Sequence, residues 1–181
     1  MQRLFTIEMD TVQLTHALLS NEHTRKVFNG VYPIDLLPPH IKPPIFLIWN
    51  KDASNLPGSH WLALHVPVRG PAEYFDSLNL KTSQPVKTYL MRYGKQIIRN
   101  NFRLQSIFSN VCGMYVALFI LHRASGLTFK QFLRLFKEGY YQANDQLIQK
   151  MFDKHFVHVS STSKNSKRIK CNQICKACLF K

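Results

Sequence analysis

Acidic residues are scarce in this chain of 181 residues. Ten Asp and Glu residues face 24 Lys and Arg residues, so the formal net charge is +14. No acidic residue lies between Ser77 and Lys137, although ten basic residues do. Six more basic residues lie from Ser160 onward, which leaves 18 basic and ten acidic residues before it. Because the excess belongs to both parts of the chain, we expect an anionic partner.

Cysteines and long apolar runs are few as well. The four cysteines are Cys112, Cys171, Cys175 and Cys178. The chain does not open with a charged segment followed by an apolar one, and no apolar run approaches the length of a bilayer span. We therefore expect no secretory signal, no membrane partner and a reducing intracellular setting in which a thiol stays free.

The rest of the composition is typical of a globular protein with an appendage. Hydrophobic residues make up 45% of the chain and aromatic residues 12%, which is enough for a proper core. From residue 160 the composition shifts to Ser, Lys and Asn. This shift predicts one domain over residues 1–159 and a basic, flexible tail over residues 160–181. The three tail cysteines match no standard four-ligand zinc pattern, so we predict no metal site.

The segment from Leu104 to His122 is the part of the sequence most typical of chemistry. A polar run leads into Cys112 and Gly113, and a wholly apolar stretch follows, which predicts a buried helix with Ser109 or Asn110 as its N-cap. In the first turn of a helix, unpaired N–H groups and the helix dipole favour a thiolate. Gly113 lets a substrate or the backbone pass close by. The alternative is that Cys112 is a small core residue.

The remaining pattern predicts short strands and amphipathic helices. Strands are expected at residues 45–49, 60–66, 72–78 and 102–105, with the second and third forming a hairpin-like pair. Helices are expected at about residues 11–20, 85–100, 129–137 and 144–151, with Asp10 or Thr11, Thr128 and Asn144 as candidate caps. Residues 27–37 are expected to form an irregular packed loop.

Three polar residues are candidates to assist the thiol. A thiol nucleophile needs a base, a group that orients the base, and donors for the oxyanion. His60 begins one predicted strand, Asp76 ends its neighbour, and Gln105 precedes Cys112 by seven residues. Alone, each has a plain structural interpretation, as a surface histidine, a turn residue and an uninformative polar residue.

Two nearby residues compete for the same roles. Glu73 lies three residues before Asp76 and is an alternative orienter for His60. His65 is an alternative base, but it lies five residues after His60, so on a strand it should face the opposite side of the sheet.

As a set, these residues resemble the adenovirus protease (adenain) family, and the wider clan that includes the SUMO-type ubiquitin-like-modifier proteases. The resemblance rests on the order of GSHW with His60, YFDSL with Asp76, Gln105, and NVCGMY with Cys112, and it covers roughly residues 27–136. It implies an α+β fold of the papain-like, permuted cysteine protease type. In that fold a small mixed sheet packs against a central buried helix that carries the catalytic cysteine.

The resemblance also implies a role for each residue of the set. Cys112 becomes the nucleophile, His60 the general base and acid, Asp76 the orienter of His60, and Gln105 an oxyanion donor. Trp61 is similar to the aromatic residue beside the catalytic histidine in the family, with Gly113 as its companion in substrate binding. Adenovirus enzymes typically carry Glu where this chain has Asp76, whereas the SUMO-type branch carries Asp, so the branch stays open.

At the level of function, the resemblance implies a viral or virus-derived maturation endopeptidase. Such an enzyme cleaves viral precursor and capsid proteins at Gly-containing sites, as a monomer, in the virion and the host nucleus. Its chemistry requires no cofactor, but DNA and a basic cysteine-containing peptide stimulate the adenain type. The tail segment Lys167–Cys171 loosely resembles such a peptide. The alternatives are a ubiquitin- or SUMO-like isopeptidase and a non-catalytic, DNA-binding capsid protein.

DNA binding has an independent physical argument in the stretch without acidic residues. Phosphate contacts by Lys and Arg give strong, non-specific and salt-dependent affinity. On the predicted helix 85–100, Arg92, Lys95 and Arg99 fall on a shared face, so we expect Lys87, Arg92, Lys95 and Arg99 to contact DNA. The alternative is a solvated basic surface that only aids solubility.

Overall fold

Most strands and most helices of the protein fall in separate runs along the chain, as is typical of α+β folds. The computed structural model describes residues 8–156, and the predicted tail with Cys171, Cys175 and Cys178 lies outside them. The elements are α1 Thr11–Ser20, β1 Phe28–Pro33, a 3-10 turn Ile34–Leu36, β2 Ile45–Asn50, β3 Trp61–Val66, β4 Ala72–Phe75, α2 Gln84–Met91, β5 Ile97–Arg99, α3 Cys112–Ala124, α4 Phe129–Leu133 and α5 Tyr141–His155.

The five strands form one mixed sheet in the order β1-β2-β3-β4-β5. The two outer pairs, β1 with β2 and β4 with β5, are parallel, whereas β3 is antiparallel to both of its neighbours. Every residue of β2, β3 and β4 is buried, so these strands are covered on both faces. Along β3, Trp61 and Ala63 join the core on the α3 side, whereas Leu62 and Leu64 join the core that contains α2.

Helix α3 is the centre of the larger core. All ten residues from Cys112 to Leu121 are buried, because the helix packs against β3, α1 and α5 at once. Phe119 stacks on Phe75 of β4 with ring centroids 5.0 Å apart, and Phe132 of α4 contacts the edges of both rings. The predicted α+β arrangement of a small mixed sheet on a central buried helix is therefore confirmed.

Several local predictions are confirmed with their capping chemistry. Asp10 caps α1, since its carboxylate accepts from the Gln13 N–H at 2.7 Å and the Gln13 side chain accepts from the Asp10 N–H in return. Thr128 caps α4 through the same box with Gln131. Strands β3 and β4 pair as predicted, although β4 ends at Phe75 and α4 at Leu133.

The prediction of an irregular loop over residues 27–37 is wrong. Residues Phe28–Pro33 form an edge strand parallel to β2, with a register shift between Phe28 and Gly30. Gly30 has φ +125°, which favours glycine and lets the strand keep its pairing despite the irregularity. A parallel partner seventeen or more residues away in sequence leaves no local signal, so turn residues dominated the prediction.

The predicted helix over residues 85–100 is also wrong in its second half. Helix α2 ends at Met91, and residues 97–99 form β5, parallel to β4. Gly94, with φ +58°, turns the chain between them. Arg92, Lys95 and Arg99 therefore do not share a helix face, which removes the geometric argument for a row of phosphate contacts.

Two further local predictions fail near α3 and α5. Residues 102–105 form no strand; instead the N–H groups of Leu104 and Gln105 both donate to the carbonyl of Ser77. Asn144 lies inside α5 and does not cap it, because its amide bonds the carbonyls of Leu104 and Lys137. In both places a contact distant in sequence decided the local structure.

Candidate active site

His60 and Asp76 meet at one edge of the sheet. His60 directly precedes β3 and Asp76 directly follows β4, and the antiparallel pairing brings these two ends together. The Nε2 atom of His60 lies 2.7 Å from Oδ1 of Asp76, and both side chains are almost fully buried. Since a carboxylate can only accept, Nε2–H donates, and Nδ1 of His60 faces the other way.

Backbone donors and one buried amide hold the Asp76 carboxylate in place. The N–H of Leu78 donates to Oδ1 and the N–H of Leu80 to Oδ2, each at 2.9 Å. The Asn100 side chain is fully buried and clamps the Asp76 main chain, accepting from its N–H at 3.1 Å and donating to its carbonyl at 2.7 Å. The sequence carried no signal for Asn100, which lies 24 residues from Asp76 and follows β5.

The surroundings of His60 favour its charged form. Burial by itself lowers the pKa of His60, but the hydrogen bond to Asp76 and the adjacent Cys112 sulfur outweigh it and raise the pKa to about 9. Cys112 therefore lies close enough to His60 to affect its charge, and Asp76 is bonded to Nε2 of the ring. At neutral pH this arrangement favours an imidazolium next to the thiol group.

Cys112 is the first residue of α3, and no side chain within residues 8–156 caps the helix. The N-cap residue is Val111, which offers no side-chain acceptor, so the prediction of Ser109 or Asn110 as the cap is wrong. The Ser109 hydroxyl instead donates to the Ser106 carbonyl. The first N–H groups of a helix have no intrahelical acceptor, and no acceptor for the Cys112 N–H is found in the part of the chain that the structure describes, so it can serve a group bound beside the thiol.

The Gln105 amide lies buried beside the start of α3. Its Oε1 accepts from the Ser77 hydroxyl at 2.6 Å, and its Nε2 donates to the Ser109 carbonyl at 2.8 Å. An amide nitrogen carries two N–H groups, so one of them is left after the bond to Ser109. The loop behind Gln105 is fixed by Asp145 of α5, which accepts from the Ser106 N–H and the Tyr115 hydroxyl.

Trp61 and Gly113 both contact a residue that the sequence did not single out. The indole Nε1 of Trp61 donates to the carbonyl of Met9 at 2.8 Å. The Met9 side chain covers Gly113 so closely that a Cβ on Gly113 would lie 2.8 Å from the Cβ of Met9. The chain before α1 therefore passes next to the first turn of α3, and Gly113 is needed for that close approach.

A cavity of about 420 Å³ opens beside Trp61. It lies between the start of α1 and the loop after β2, and its lining includes Met9 together with the carboxylate residues Glu8, Asp10 and Asp52. His60 and Asp76 instead line a small space of about 40 Å³ with Lys51 and Lys81. The large cavity is therefore lined by Trp61, the residue after His60, but by neither His60 nor Cys112.

The two rival residues are engaged elsewhere. His65 Nδ1 bonds the Ile45 carbonyl at 3.0 Å, and burial lowers the pKa of His65 to about 4. Glu73 pairs with Arg123 of α3 at 2.6 Å. Both rivals therefore belong to the α3 side of the sheet, which agrees with the prediction that His65 faces away from His60.

The predicted DNA contacts are mostly occupied within the protein. Arg92 donates to the Pro39 carbonyl, Lys95 to the carbonyls of Val68 and Gly70, and Arg99 to the Leu80 carbonyl and the Thr82 hydroxyl. Lys87 is exposed on α2. Within residues 8–156 no three potential metal-ligating side chains gather, and no helix there is long and apolar enough to cross a membrane.

Comparisons with known proteins point to viral cysteine proteases. Over 116 residues the chain is 26% identical to cysteine protease S273R of African swine fever virus (isolate Tick/Malawi/Lil 20-1/1983), a match covering 56% of this chain and 42% of that protein. A crystal structure of the African swine fever virus pS273R protease aligns with a TM-score of 0.53 and 17% identity, covering 78% of this chain and 66% of that one.

Other comparisons are weaker. A structure of the SUMO protease Ulp1, with its catalytic cysteine oxidized to a sulfinic acid, aligns with a TM-score of 0.34 and 20% identity, covering 60% of this chain and 53% of that one. No protein-family model matches the chain. The chain spans less than half the length of the curated relative it matches. The sequence likeness is to a viral cysteine protease, whereas membership of the adenain family or of its wider clan stays a prediction. The chain thus has the fold of the African swine fever virus pS273R cysteine protease.

Proposed function

We propose that this protein is a cysteine endopeptidase with Cys112 as its nucleophile. The observation that carries the proposal is the buried cluster of Asp76, His60 and Cys112, in which the carboxylate bonds Nε2 and the thiol is close enough to raise the pKa of the ring. This is the arrangement of nucleophile, base and orienter that acyl transfer by a thiol requires.

In the first half of the reaction, the Cys112 thiolate attacks the substrate carbonyl. The Sγ–C bond forms, and the carbonyl electron pair moves to the oxygen. The Cys112 N–H and the remaining N–H of Gln105 Nε2 receive this oxyanion. The His60 imidazolium then gives its proton to the leaving amine as the C–N bond breaks, and an acyl-enzyme is left.

In the second half, His60 acts as a base. It takes a proton from water, the hydroxide attacks the thioester carbon, and the carboxylic acid product leaves as Cys112 regains its electron pair. Asp76 keeps Nε2 occupied throughout, so that only Nδ1 of His60 exchanges protons with the reactants.

We further propose viral precursor and capsid proteins as substrates, cleaved at Gly-containing sites. The likeness to the viral protease S273R supports the first part. The closeness of Met9 to both Trp61 and Gly113 supports the second, since little room is left there for side chains next to the scissile bond. The cavity beside Trp61 offers space for the remainder of the peptide. Asp76, where adenovirus enzymes typically carry Glu, leaves the SUMO-type isopeptidase as the second candidate.

Stimulation by DNA and by the tail peptide belongs to the same proposal, as do a monomeric state and residence in the virion and host nucleus. The stretch without acidic residues, 77–137, supports polyanion binding, although the contacts named above leave Lys87 as its best single residue on α2. Activity that is unchanged by DNA and by removal of residues 160–181 would contradict both forms of stimulation.

The decisive experiment is thiol labelling by a peptide with a C-terminal Gly vinyl electrophile, followed by intact mass measurement. Wild type, Cys112→Ala and His60→Ala are compared, each with and without DNA. We expect labelling only at Cys112, at a rate that falls sharply in His60→Ala. Labelling spread over Cys171, Cys175 and Cys178 and indifferent to His60 would overturn the proposal, and cleavage of a ubiquitin-like fusion but not of a Gly-type peptide would favour the isopeptidase.

A further inference from the structure

Ser77 connects the two halves of the proposed catalytic machinery. It follows Asp76, which orients His60, and its side chain contacts Gln105, the proposed oxyanion donor. Ser77 is completely buried, so its polar groups have to find partners within the protein. Nothing in the proposed reaction uses the Ser77 hydroxyl directly, since it faces Gln105 and not His60.

Three hydrogen bonds tie Ser77 to the Gln105 segment. The Ser77 carbonyl accepts from the N–H of Leu104 at 2.9 Å and from the N–H of Gln105 at 3.1 Å. The Ser77 hydroxyl donates to Gln105 Oε1 at 2.6 Å. Ser77 and Gln105 lie 28 positions apart in the chain, so the fold and not local structure makes this link.

The direction of the Gln105 amide follows from its two neighbours. The Ser109 carbonyl can only accept, so the NH₂ end of the amide must face it, at 2.8 Å. The oxygen end then faces Ser77, whose hydroxyl must donate. With both ends held, the second N–H of Nε2 has a fixed direction, which is the requirement for a preorganised oxyanion donor.

We propose that Ser77 is a positioning residue that fixes the Gln105 amide for oxyanion stabilisation, an inference that rests on the proposed cysteine protease function. Without the Ser77 hydroxyl, Oε1 of Gln105 is buried without the donor that now satisfies it, which is unfavourable for a buried acceptor. The amide then rotates or admits water, and the donor is lost without any change at His60 or Cys112.

The test separates oxyanion stabilisation from thiol activation. A peptide aldehyde adds to Cys112, and the new Sγ–C bond leaves an oxyanion, whereas alkylation by iodoacetamide creates none. In Ser77→Ala we expect the inhibition constant of a Gly-aldehyde peptide to rise about 10- to 100-fold and kcat to fall similarly, with KM little changed. The iodoacetamide rate and its pH profile should stay within about twofold of wild type.

The control is Ser106→Ala, which removes a hydroxyl next to Gln105 that accepts from the Phe108 N–H and does not contact the Gln105 amide. The inhibition constant of the Gly-aldehyde peptide for Ser106→Ala should match that for wild type. Gln105→Ala should lose aldehyde affinity as well, and adding Ser77→Ala to it should cost little more, because both changes remove one interaction. Ser77→Cys, which keeps the shape but weakens the donor, should fall between and serves if Ser77→Ala does not fold.

The outcomes distinguish this inference from the proposed function. Full aldehyde affinity in folded Ser77→Ala, or additive losses in the double variant, would overturn the role of Ser77 while leaving the protease intact. Equal losses of aldehyde affinity and alkylation rate would mean that Ser77 supports the site only generally. An alkylation rate at Cys112 that is the same in wild type and in His60→Ala would overturn the proposed function itself.

Discussion

Two buried carboxylates at strand β4 pair with cations, and only one of these pairs is built for proton transfer. Asp76 bonds His60 at 2.7 Å just after the strand, and Glu73 bonds Arg123 at 2.6 Å within it. Both pairs are largely withdrawn from water. They lie three residues apart, and Glu73 points toward α3, whereas Asp76 lies at the edge near Cys112.

The partner cation makes the difference. An arginine side chain does not exchange protons in catalysis as an imidazole does, so the pair of Arg123 with Glu73 can only hold β4 against α3. His60 can gain and lose a proton, has a second nitrogen besides the one bonded to Asp76, and lies beside the Cys112 thiol. The carboxylates also differ in support, since two backbone N–H groups donate to Asp76 besides His60. A buried carboxylate can thus contribute to catalysis when the cation that it binds, such as His60, also contacts a reactive group.

The largest expected effect is on activity. Asp76→Asn should lower kcat/KM by about 10³- to 10⁴-fold, because the amide no longer stabilises the imidazolium or selects its tautomer. Glu73→Gln is the matched control and should change kcat/KM by less than about threefold. Steady-state cleavage of a Gly-type peptide measures both, and comparable losses in the two variants would remove the distinction between the pairs.

The next largest effect is on stability, and here Glu73→Gln should have a larger effect than Asp76→Asn. Glu73→Gln should lower the free energy of unfolding by about 3–5 kcal/mol, because it leaves Arg123 partly buried without its carboxylate. Urea unfolding measures this, with the slope of the transition as a check that the unfolded state is unchanged. A loss below about 1 kcal/mol would mean that the pair is solvated and resembles a surface ion pair.

A third effect is on the pH dependence. Burial lowers the pKa of His60, but Asp76 and Cys112 raise it to about 9, against 6.5 in the unfolded chain. The folded protein therefore holds the extra proton between these values, so this stabilisation is full below pH 6.5 and is lost as the pH rises through 9. Activity should decline on an alkaline limb near pH 9. In Asp76→Asn the limb should move to lower pH, whereas in Glu73→Gln it should stay, as pH–rate profiles of residual activity would reveal.

The smallest effect is expected when both residues of the Glu73–Arg123 pair are replaced together. Glu73→Leu with Arg123→Met removes both charges, so no unpaired ion remains, and stability should return to within about 1 kcal/mol of wild type. Thermal unfolding of the double variant beside each single variant measures this. A double variant as unstable as Glu73→Leu alone would mean that packing, and not the uncompensated charge, causes the loss.

The site was more predictable from the sequence than the elements around it. The meeting of His60 and Asp76 could be predicted because two antiparallel strands must bring their ends together. The catalytic roles of His60, Asp76 and Cys112 came from the family resemblance and stay predictions. Asn100 and Ser77 could not be assigned roles, because their hydrogen bonds join residues 24 and 28 positions apart. Met9 was missed for the same reason, since its contacts to Trp61 and Gly113 cross from one end of the domain to the other.

The two errors in secondary structure at β1 and β5 share one cause. Strands β1 and β5 are both short edge strands in parallel pairs, which need a distant partner for every hydrogen bond. Their sequences contain Gly, Pro or basic residues next to apolar ones, so local propensity favoured a loop in one case and a helix in the other. The inner strands β2 and β3 were found because continuous burial leaves an apolar run that periodicity detects.

The resemblance to a known family implied the α+β class. By itself, the sequence determined the buried helix behind Cys112, a cap at Asp10 or Thr11 and another at Thr128, and the order of the residues proposed for catalysis. These features depend on local patterns, such as apolar runs and polar residues at helix ends. The tertiary structure alone decided that Glu73 serves Arg123 while Asp76 serves His60, and that Ser77 holds Gln105. Such choices depend on which face of a strand meets which helix, and only the packed sheet sets that geometry.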